Sequence, residues 1–598
     1  MIPSGSVRYE KLPNTEETGD EDAGGSGEEE EDQVTVFLYS PSGSFHKRNP
    51  RRELWLRVAV AAVLLAVSLG FVVCEWYGCL SADASLEGGL QNHHHDGHAL
   101  DSQSHKETED RDHQGKSGHR SHEHPSSQYH HGVVITDSTV CSEAGREVLE
   151  DGGNVVDAGM AALLCLGVVH PHAAGVGGVF SGILYNRTTG ISRGIRTTCT
   201  GSPLITYGVP ATLQGIRRLH SLYGRSNWEK LFVKAIKLAK EGFHIDDTLA
   251  LALKSNELRI CQSALRDLFC DRNGSVKAPG SIVTNRKLSE LLQSAGANDS
   301  LLPESLGMKL AVDLPSAAQQ AFVKNIQRCG VEIREPFTIE EEGYSVFTAS
   351  SELFSSIISE TVKRHSAQNA SFWGDASDYT NVSIYVSLFN TAKLVYNNFL
   401  GNQSLGGLPV SNMVSSHIGV LDNSGNILIV STSLNSSFGA AQVLPSTGVL
   451  LSDFVLDPAA DLAQWSCASI VKLRQTDKED DDDSEDALGV GVTGGFSAPF
   501  IAAQIIINRL ILGKSISEAV ISPLLHVEMV SPESLSACIS VVSNTSDTYK
   551  LLMEGEGQMH TQAADECADK TVAFIMQKHA GHVGAYGVPA AKACTDGF

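Results

Sequence analysis

The sequence predicts an α+β fold in which buried helices pack against a sheet of apolar strands. Residues Val155–Val169 form a helix-length run that is almost entirely apolar, which is typical of a helix buried on most sides. Two short apolar segments, His417–Asp422 and Asn426–Ser433, have the length of strands, and Asn423-Ser424-Gly425 between them suits a tight hairpin. With 598 residues, the chain can build a large core or two lobes of one.

Composition and charge exclude two classes of function. The net charge of −25 argues against nucleic-acid binding, because phosphate recognition needs a basic surface. The twelve cysteines are scattered without a CxxC pair, so the sequence carries no zinc signature. In a lumenal compartment some of these cysteines would form disulfides.

The chain ahead of the predicted fold divides into three parts. Residues 1–53 are rich in Gly, Ser, Glu and Asp, a composition typical of a disordered tail. Residues 54–77 contain the uncharged run Val58–Cys74 with flanking aromatic residues, which predicts one transmembrane helix. Residues 78–130 are polar and rich in histidine, which favours a flexible, disordered stalk over a metal site.

Charges around the apolar run predict its orientation. Basic residues flank only its N-terminal side, so the positive-inside rule places the tail in the cytoplasm and the rest of the chain outside or in the lumen. A cleaved signal peptide is disfavoured because the run follows a long acidic tail. The exterior part carries sequons that are candidate glycosylation sites, namely Asn186, Asn273, Asn298, Asn369, Asn381, Asn402 and Asn544.

The fold begins near Tyr129 with the predicted strand Val133–Thr136. The helix Cys141–Glu150 follows and ends at Gly152-Gly153, since glycine is favoured just after a helix. The buried apolar helix ends at His170-Pro171-His172, whose histidines are interpreted as a helix-end element in preference to a metal or base pair.

Further elements follow from composition and periodicity. The glycine-rich turn Gly175–Gly178 predicts close packing, and two helices are predicted at Val209–Tyr223 and Trp228–Glu241. The polar, sequon-rich segment Asn369–Ser411 predicts an exposed loop ahead of the hairpin. After the hairpin, Lys478–Asp486 predicts a solvated acidic loop and Pro499–Leu512 predicts a helix.

The hairpin brings polar residues at its two ends together. Ser415 and Ser416 precede its first strand, and Ser433 and Asn435 close its second, so antiparallel pairing sets them side by side. Hydroxyl-rich strand ends are common in ordinary turns, and the pattern alone does not identify a site. Gly494-Gly495, ahead of a predicted helix, offers backbone N–H groups to an anion or a developing oxyanion.

Several of these stretches resemble the gamma-glutamyltransferase (glutathione hydrolase) family. Ser415-Ser416-His417, the strands after it and the segment Ser433–Gly439 are similar to the family's processing site. Residues 152–178 are similar to its GGNAVDAAVA…HPxxxGxGGGGF signature, and residues 208–245 to a helical segment of its large subunit. Over residues 246–400 the resemblance is weak, and this region looks shortened.

The resemblance implies the four-layer αββα sandwich of N-terminal nucleophile hydrolases. It also implies that the precursor cuts its own backbone before Ser415, giving a large chain, residues 131–414, and a small chain, residues 415–598, that stay associated. The freed α-amine, with an ordinary pKa of about 8, can act as a general base near neutral pH. It would activate the Ser415 hydroxyl to attack a γ-glutamyl amide, with no metal or organic cofactor.

The resemblance further implies roles for individual residues. The catalytic residues would be Ser415 as nucleophile, Ser433 as a second hydroxyl, and Gly494 and Gly495 as oxyanion donors. The residues that would hold the α-amino and α-carboxylate groups of the substrate are Asn435, Asp457, Ser466, Cys467 and Arg196.

Three features depart from the family pattern. Ser415 stands where the family has threonine, and it lacks the methyl group that restricts χ1. Phe454 stands where the family has a glutamine or glutamate beside the amino-group pocket. The family's RExAP motif is missing, and Arg193 or Arg196 could replace its arginine. Losing a charged contact to a carboxylate costs about 1.5–3 kcal/mol.

Taken together, the sequence predicts a type II membrane-anchored gamma-glutamyltransferase that acts on glutathione and other γ-glutamyl compounds. Two alternatives remain open. One is a catalytically weak or inactive member that keeps the fold for binding or assembly at a membrane. The other is a self-processing amidohydrolase with a different γ-glutamyl or aspartyl substrate.

Overall fold

The computed structural model describes residues 128–199, 208–297, 303–341, 343–349, 352–366, 382–402, 414–454, 466–473, 487–531, 534–541, 559–563, 571–579, 581–588 and 593–598. All of them belong to one compact unit, Gly118–Phe598. The predicted tail, residues 1–53, the predicted transmembrane segment, residues 54–77, and the predicted acidic loop lie outside the described residues. None of the helices in the described ranges is long and apolar enough to cross a bilayer.

Strands and helices alternate along the chain. The first half contains β1 (Gln128–Tyr129), β2 (Gly132–Thr136), α1 (Thr139–Glu150), α2 (Val155–Val169), β3 (Val179–Asn186), β4 (Ile191–Cys199), α3 (Thr212–Tyr223), α4 (Val233–Glu241), β5 (Phe243–His244), α5 (Asp247–Ser255), α6 (Glu257–Cys261), α7 (Arg266–Phe269), β6 (Ile282–Val283), α8 (Arg286–Ala297), α9 (Pro303–Ala311) and α10 (Ser316–Gln327). The second half contains β7 (Cys329–Arg334), β8 (Phe337–Glu341), β9 (Tyr344–Thr348), α11 (Glu352–Ser366), α12 (Val382–Asn402), β10 (Val414–Asp422), β11 (Ile427–Asn435), β12 (Ser466–Leu473), β13 (Ala487–Thr493), α13 (Ala498–Leu510), α14 (Ile516–Ile521), β14 (Leu524–Ser531), β15 (Ser534–Val541), β16 (Met559–Ala563), β17 (Val572–His579), β18 (His582–Val588) and β19 (Cys594–Gly597).

Two seven-stranded antiparallel sheets form the centre. The first, here called the hairpin sheet, has the strand order β19-β2-β10-β11-β3-β4-β7. The second, here called the facing sheet, has the order β1-β18-β17-β13-β12-β9-β8. Both sheets contain strands from before and from after residue 415, so the two parts of the chain share the two central layers of the fold.

Side-chain alternation along the strands builds three cores between four layers. In β10, Ile418 and Val420 point to the core under helices α1–α4, whereas Leu421 points to the core between the sheets. A third core lies between the facing sheet and helices α11–α14. The predicted four-layer αββα sandwich is therefore confirmed for the described residues, and the hairpin lies at the centre of one of its sheets.

Most predicted elements near the hairpin are present. The helix α2 has the predicted bounds, and Asn154 caps it by accepting hydrogen bonds from the backbone N–H groups of Val156 and Asp157. The predicted helix at Val209 begins only at Thr212, since a residue that precedes proline is disfavoured in helical conformation. The predicted helix from Trp228 starts as a 3₁₀ turn, Trp228–Phe232, before α4.

Two predictions are wrong. The segment Asn369–Ser411 is not an exposed loop throughout, because residues 382–402 form the helix α12. Its buried side chains Tyr385, Leu388, Phe389 and Ala392 have helical spacing and pack under α11 and the facing sheet. The predicted stalk, residues 78–130, ends too late, because Gln128–Tyr129 form a strand that pairs with β18. The rest of the stalk lies outside the described residues.

Candidate active site

The hairpin places the predicted nucleophile opposite the predicted second hydroxyl. Ser415 of β10 pairs with Ser433 of β11, as antiparallel register requires. Val414, however, pairs with Asn435, so the ladder contains an irregularity between Val414 and Ser415. A β-bulge of this kind re-aims the side chains around it. The backbone bond at the predicted cut therefore lies at a distorted point of an otherwise regular ladder.

A short chain of hydrogen bonds crosses this irregularity. The hydroxyl of Ser433 donates to the carbonyl oxygen of Val414 over 2.6 Å. The backbone N–H of Asn435 in turn donates to Ser433 Oγ over 2.8 Å. Ser433 and Ser416 are buried, while Ser415 and Asn435 are half-buried. The carbonyl of the Val414–Ser415 peptide bond is thus polarised by a fixed hydroxyl, and the Ser415 side chain adjoins it.

The loop after β11 is strained and held from two sides. Asn435, Phe438 and Ala441 have φ angles of 79°, 60° and 53°, in the left-handed region that non-glycine residues rarely adopt. From α6, the guanidinium of Arg259 donates to the carbonyl of Ser437 over 2.8 Å and also to that of Gly439. These contacts fix the backbone that presents Asn435.

On the other side of this loop lies Asp453, which the sequence pattern did not indicate. Its carboxylate accepts a hydrogen bond from the Ser436 backbone N–H over 3.0 Å and another from the Ser436 hydroxyl. The side-chain amide of Asn435 donates to the Asp453 carbonyl over 3.5 Å. The predicted acid, Asp457, lies outside the described residues. A carboxylate directly beside the loop is therefore supplied by Asp453.

The glycine-rich turn before β3 allows close packing against the hairpin, as predicted. A Cβ atom on Gly178 would lie 2.4 Å from the carbonyl oxygen of Ser433. A Cβ atom on Gly177 would lie 2.0 Å from the carbonyl oxygen of Leu450. Gly178 is required by backbone approach near the end of β11, and Gly177 by backbone approach at Leu450, neither by a special φ angle.

A buried contact between a histidine and a carboxylate lies next to the predicted nucleophile. His417, two residues after Ser415, has its Nδ1 atom 2.5 Å from Asp137 Oδ1. His417 is 1% exposed and Asp137 is 7% exposed. Burial raises the pKa of Asp137, but the charges of His417 and His170 and a hydrogen bond from Ser416 outweigh it and hold that pKa below its usual range. Asp137 is therefore a carboxylate at neutral pH.

His170, interpreted from the sequence as part of a helix-end element, contacts a carboxylate that begins a later helix. His170 is fully buried, and its Nε2 atom lies 2.6 Å from Asp246 Oδ2. The same carboxylate caps α5 by accepting from the backbone N–H of Leu249. Burial raises the pKa of Asp246, but the hydrogen bond from His170 contributes most to holding it below its usual range. No group of His, Cys, Asp or Glu in the described part of the chain could hold a metal ion.

The predicted oxyanion glycines lie at the end of β13 in the facing sheet. Gly494 and Gly495 have φ angles of 133° and 66° and begin a 3₁₀ turn that leads into α13. Near the start of β13, Gly489 approaches Ile427 and Ile429 of β11, and further along, Gly491 pairs with Phe574, which stacks on His417. The two strands therefore run in the same direction, and both end at the edge of the sandwich that holds Ser433.

The facing sheet also carries two of the predicted substrate-binding residues. Ser466 pairs with Thr493, next to Gly494, and its side chain lies outside the described set. Cys467 pairs with Val492, and its thiol is buried in the core under α13. The position of Ser466 suits a binding role, whereas the Cys467 side chain packs away from the site.

Arg196 lies on β4, two strands away from β11. Arg196 pairs with Ser181 of β3, which in turn pairs with Ser431 of β11. Across the sheet, its backbone is therefore aligned with a residue two positions before Ser433. Its guanidinium forms an ion pair with Glu332 of β7 over 2.7 Å. Arg193 forms a similar pair with Glu335 over 2.5 Å. Either arginine would have to share its charge between a substrate carboxylate and a neighbouring glutamate.

Some of the predicted glycosylation sites and cysteine pairs lie within the described residues. Asn186 and Asn273 are exposed, as a glycosylation site requires. Asn402 ends α12, and the remaining predicted sites, Asn298, Asn369, Asn381 and Asn544, lie outside the described residues. Two disulfides, Cys141–Cys165 and Cys261–Cys270, agree with the prediction that some cysteines pair.

Comparison with known proteins agrees with this architecture. The sequence model of the family Gamma-glutamyltranspeptidase matches residues 141–203 and 200–398. This match includes residues 246–398, so the family resemblance continues through the segment where the sequence analysis found it weak. The solved structure of a cephalosporin acylase from Bacillus halodurans shares the fold, with a TM-score of 0.64 at 18% identity over 80% of this chain and 99% of that one.

Curated relatives extend the match beyond residue 398. Glutathione hydrolase 6 of Bos taurus is 28% identical over 518 residues, which cover 85% of this chain and 89% of that protein. Glutathione hydrolase 6 of Homo sapiens is 30% identical over 487 residues, which cover 78% of this chain and 80% of that protein. The chain belongs to the gamma-glutamyltranspeptidase family.

Proposed function

We propose that this protein is a gamma-glutamyltransferase and glutathione hydrolase that activates itself by cutting the Val414–Ser415 bond. The observation that carries the proposal is the hydrogen bond from the Ser433 hydroxyl to the Val414 carbonyl, at the irregularity of the β10–β11 ladder. A hydroxyl donor aimed at a backbone carbonyl is what an acyl shift requires, because negative charge develops on that oxygen. Relatives named glutathione hydrolase 6 support the same activity.

Self-cleavage would begin with attack of Ser415 Oγ on the Val414 carbonyl carbon. The peptide bond becomes an ester as the nitrogen leaves as the new α-amine, and water then hydrolyses the ester to give two chains. The hairpin sheet contains strands of both parts, with β10 and β11 lying between β2 and β3. The backbone ladders of the hairpin would therefore hold the two chains together after the cut.

In the mature enzyme, the Ser415 α-amine would take the proton from its own hydroxyl. The oxygen attacks the γ-carbonyl of the substrate and expels its amine, which leaves a γ-glutamyl ester on Ser415. Water releases glutamate, and an amino acid or peptide amine gives a transfer product. Gly494 and Gly495 would donate backbone N–H groups to the oxyanion. Asn435 and Asp453 would bind the polar end of the glutamyl group.

Denaturing gels and N-terminal sequencing of protein from a secretory host test this proposal. We expect a small chain that starts at Ser415, its absence in Ser415→Ala, and its presence in Ser415→Thr. Release of cysteinylglycine from glutathione by the cut protein completes the test. A wild-type chain that stays uncut would refute the mechanism and favour a binding role. A cut chain that ignores glutathione would favour an amidohydrolase with another substrate.

We also propose that residues 54–77 anchor the chain, with the enzyme on the exterior side. The basic residues before this segment and the sequons after it support that orientation. Glycosidase treatment should increase the gel mobility of the wild-type protein more than that of Asn273→Gln, since Asn273 is exposed. A protein with no glycosidase-sensitive mass would contradict the proposed side of the membrane.

A further inference from the structure

The scissile end of β10 lacks backbone support on one side. The strand pairs with β11 from Val414 to Leu421, but its ladder with β2 stops at the pair Ile418 and Thr136. Residues 414–417 therefore extend past the end of β2. At this point, Asp137 follows β2 directly, and its carboxylate reaches His417. A side-chain contact thus continues the connection between the two strands where the backbone ladder ends.

The contact is fixed on a third side by the facing sheet. The imidazole of His417 stacks on the ring of Phe574, with centroids 4.8 Å apart and planes 25° apart. Phe574 belongs to β17, so the histidine is clamped between two sheets. With the imidazole immobile, the backbone of residues 415–417 has little freedom. Ser415 and His417 share one face of the strand because side chains alternate.

Energetics argue against a purely stabilising role for this pair. Removing a carboxylate and its polar partner from water costs free energy that their contact regains only in part, and apolar replacements of similar volume are often equally stable. The Asp137 carboxylate also faces His170 at the end of α2, the Ser416 hydroxyl and the Cys594 thiol of β19. Residues of β10, β19 and the end of α2 thus surround one buried carboxylate beside the cut.

We propose that Asp137 and His417 are a positioning pair that holds the Ser415 backbone in the geometry needed for self-cleavage and for acyl transfer. This inference rests on the proposed function. The pair itself touches neither the substrate nor the reacting atoms, and it acts by fixing β10 where the ladder with β2 has ended. A displacement of about 1 Å at a reacting group can cost about a hundredfold in rate.

Two substitutions of the same histidine test the pair. In His417→Asn, the amide nitrogen takes the place of Nδ1 and can still donate to Asp137, whereas in His417→Gln it lies near the place of Nε2. We expect His417→Asn to cleave itself and turn over within about tenfold of wild type. His417→Gln and Asp137→Asn should lose about a hundredfold in both rates with little change in KM, because substrate contacts are intact.

A double variant separates positioning from stability. Asp137→Leu with His417→Leu replaces the two polar side chains by apolar ones, and we expect it to keep the melting temperature while self-cleavage fails. The matched control is His365→Asn, which changes another buried histidine, in α11. It should cleave like wild type. Should the double variant not fold, the comparison of the Asn and Gln variants at equal melting temperature decides the question.

The outcomes separate this inference from the proposed function. Wild-type protein that stays uncut overturns the proposed function and the positioning role together. Wild-type protein that is cut, with His417→Asn and His417→Gln cleaving at the same rate, overturns the positioning role alone. A stable double variant that cleaves normally does the same.

Discussion

Removing the Ser433 hydroxyl should slow self-cleavage far more than it destabilises the protein. The hydroxyl donates to the Val414 carbonyl over 2.6 Å. In the proposed reaction, this oxygen would gain negative charge when Ser415 attacks. In the ground state a neutral hydrogen bond contributes only about 1 kcal/mol. In the transition state, loss of one oxyanion donor costs about a hundred- to a thousandfold in rate. Ser433→Ala should therefore cleave that much more slowly, with a fall of about 2 °C in melting temperature.

The assay is a pulse-chase experiment in a secretory host, with the uncut fraction read on denaturing gels over time. Ser433→Thr keeps a hydroxyl and should cleave within about tenfold of wild type. The matched control is Ser431→Ala, on the same strand and face but paired with His417 instead of Ser415. It should cleave at the wild-type rate. Cleavage of Ser433→Ala at a rate close to wild type would refute the role of this hydrogen bond.

Three further predictions concern stability. Gly178→Ala would force a Cβ atom to within 2.4 Å of the Ser433 carbonyl oxygen, so its melting temperature should fall by an amount equivalent to about 1–3 kcal/mol. The control Gly330→Ala has no atom within 4 Å of the new Cβ and should melt like wild type. Equal melting temperatures of the two variants would contradict the close approach. Burial lowers the pKa of His526 from 6.5 to about 4, so the folded state keeps the imidazole neutral. Above pH 6.5 the imidazole is neutral in the folded and the unfolded state, so it has no effect on the free energy of unfolding. As the pH falls toward 4, only the unfolded chain gains the proton, and the free energy of unfolding falls by up to about 3 kcal/mol. His526→Leu should therefore reduce the change of melting temperature over that pH range. Replacing Cys141 and Cys165 by alanine opens a loop with a sequence separation of 24, which should lower the free energy of unfolding in guanidinium by about 3 kcal/mol.

The sequence predicts the hairpin and the buried helix well because their signals are local. Apolar periodicity and the turn residues at 423–425 define β10 and β11 to within a few residues, and the apolar run defines α2 completely. The helix α12 was missed because the polar residues and sequons of the surrounding segment, residues 369–411, outweighed its own apolar pattern. Its apolar residues Tyr385, Leu388, Phe389 and Ala392 nevertheless have helical spacing, and this signal could have identified it.

The candidate site was only partly predictable for a different reason. Ser433 and Asn435 are brought to Ser415 by a hairpin, and hairpin register follows from nearby sequence. Asp137, Arg259 and Asp453 reach the site through the packing of distant elements, which no local pattern records. Asp137 directly follows β2, a strand that pairs with β10. Arg259 belongs to a helix about 180 residues before the loop that it holds.

In the proposed reaction, the Ser433 hydroxyl serves two steps in turn. Before the cut, the Ser433 hydroxyl is engaged by the Val414 carbonyl. After the cut, Ser415–Leu421 would remain paired with β11, and their later part also with β2, whereas Val414 would keep only its irregular pairing with Asn435. Departure of Val414 would therefore expose the Ser415 amine and release the Ser433 hydroxyl together. The space that the scissile carbonyl occupied would then be available to the γ-carbonyl of a substrate.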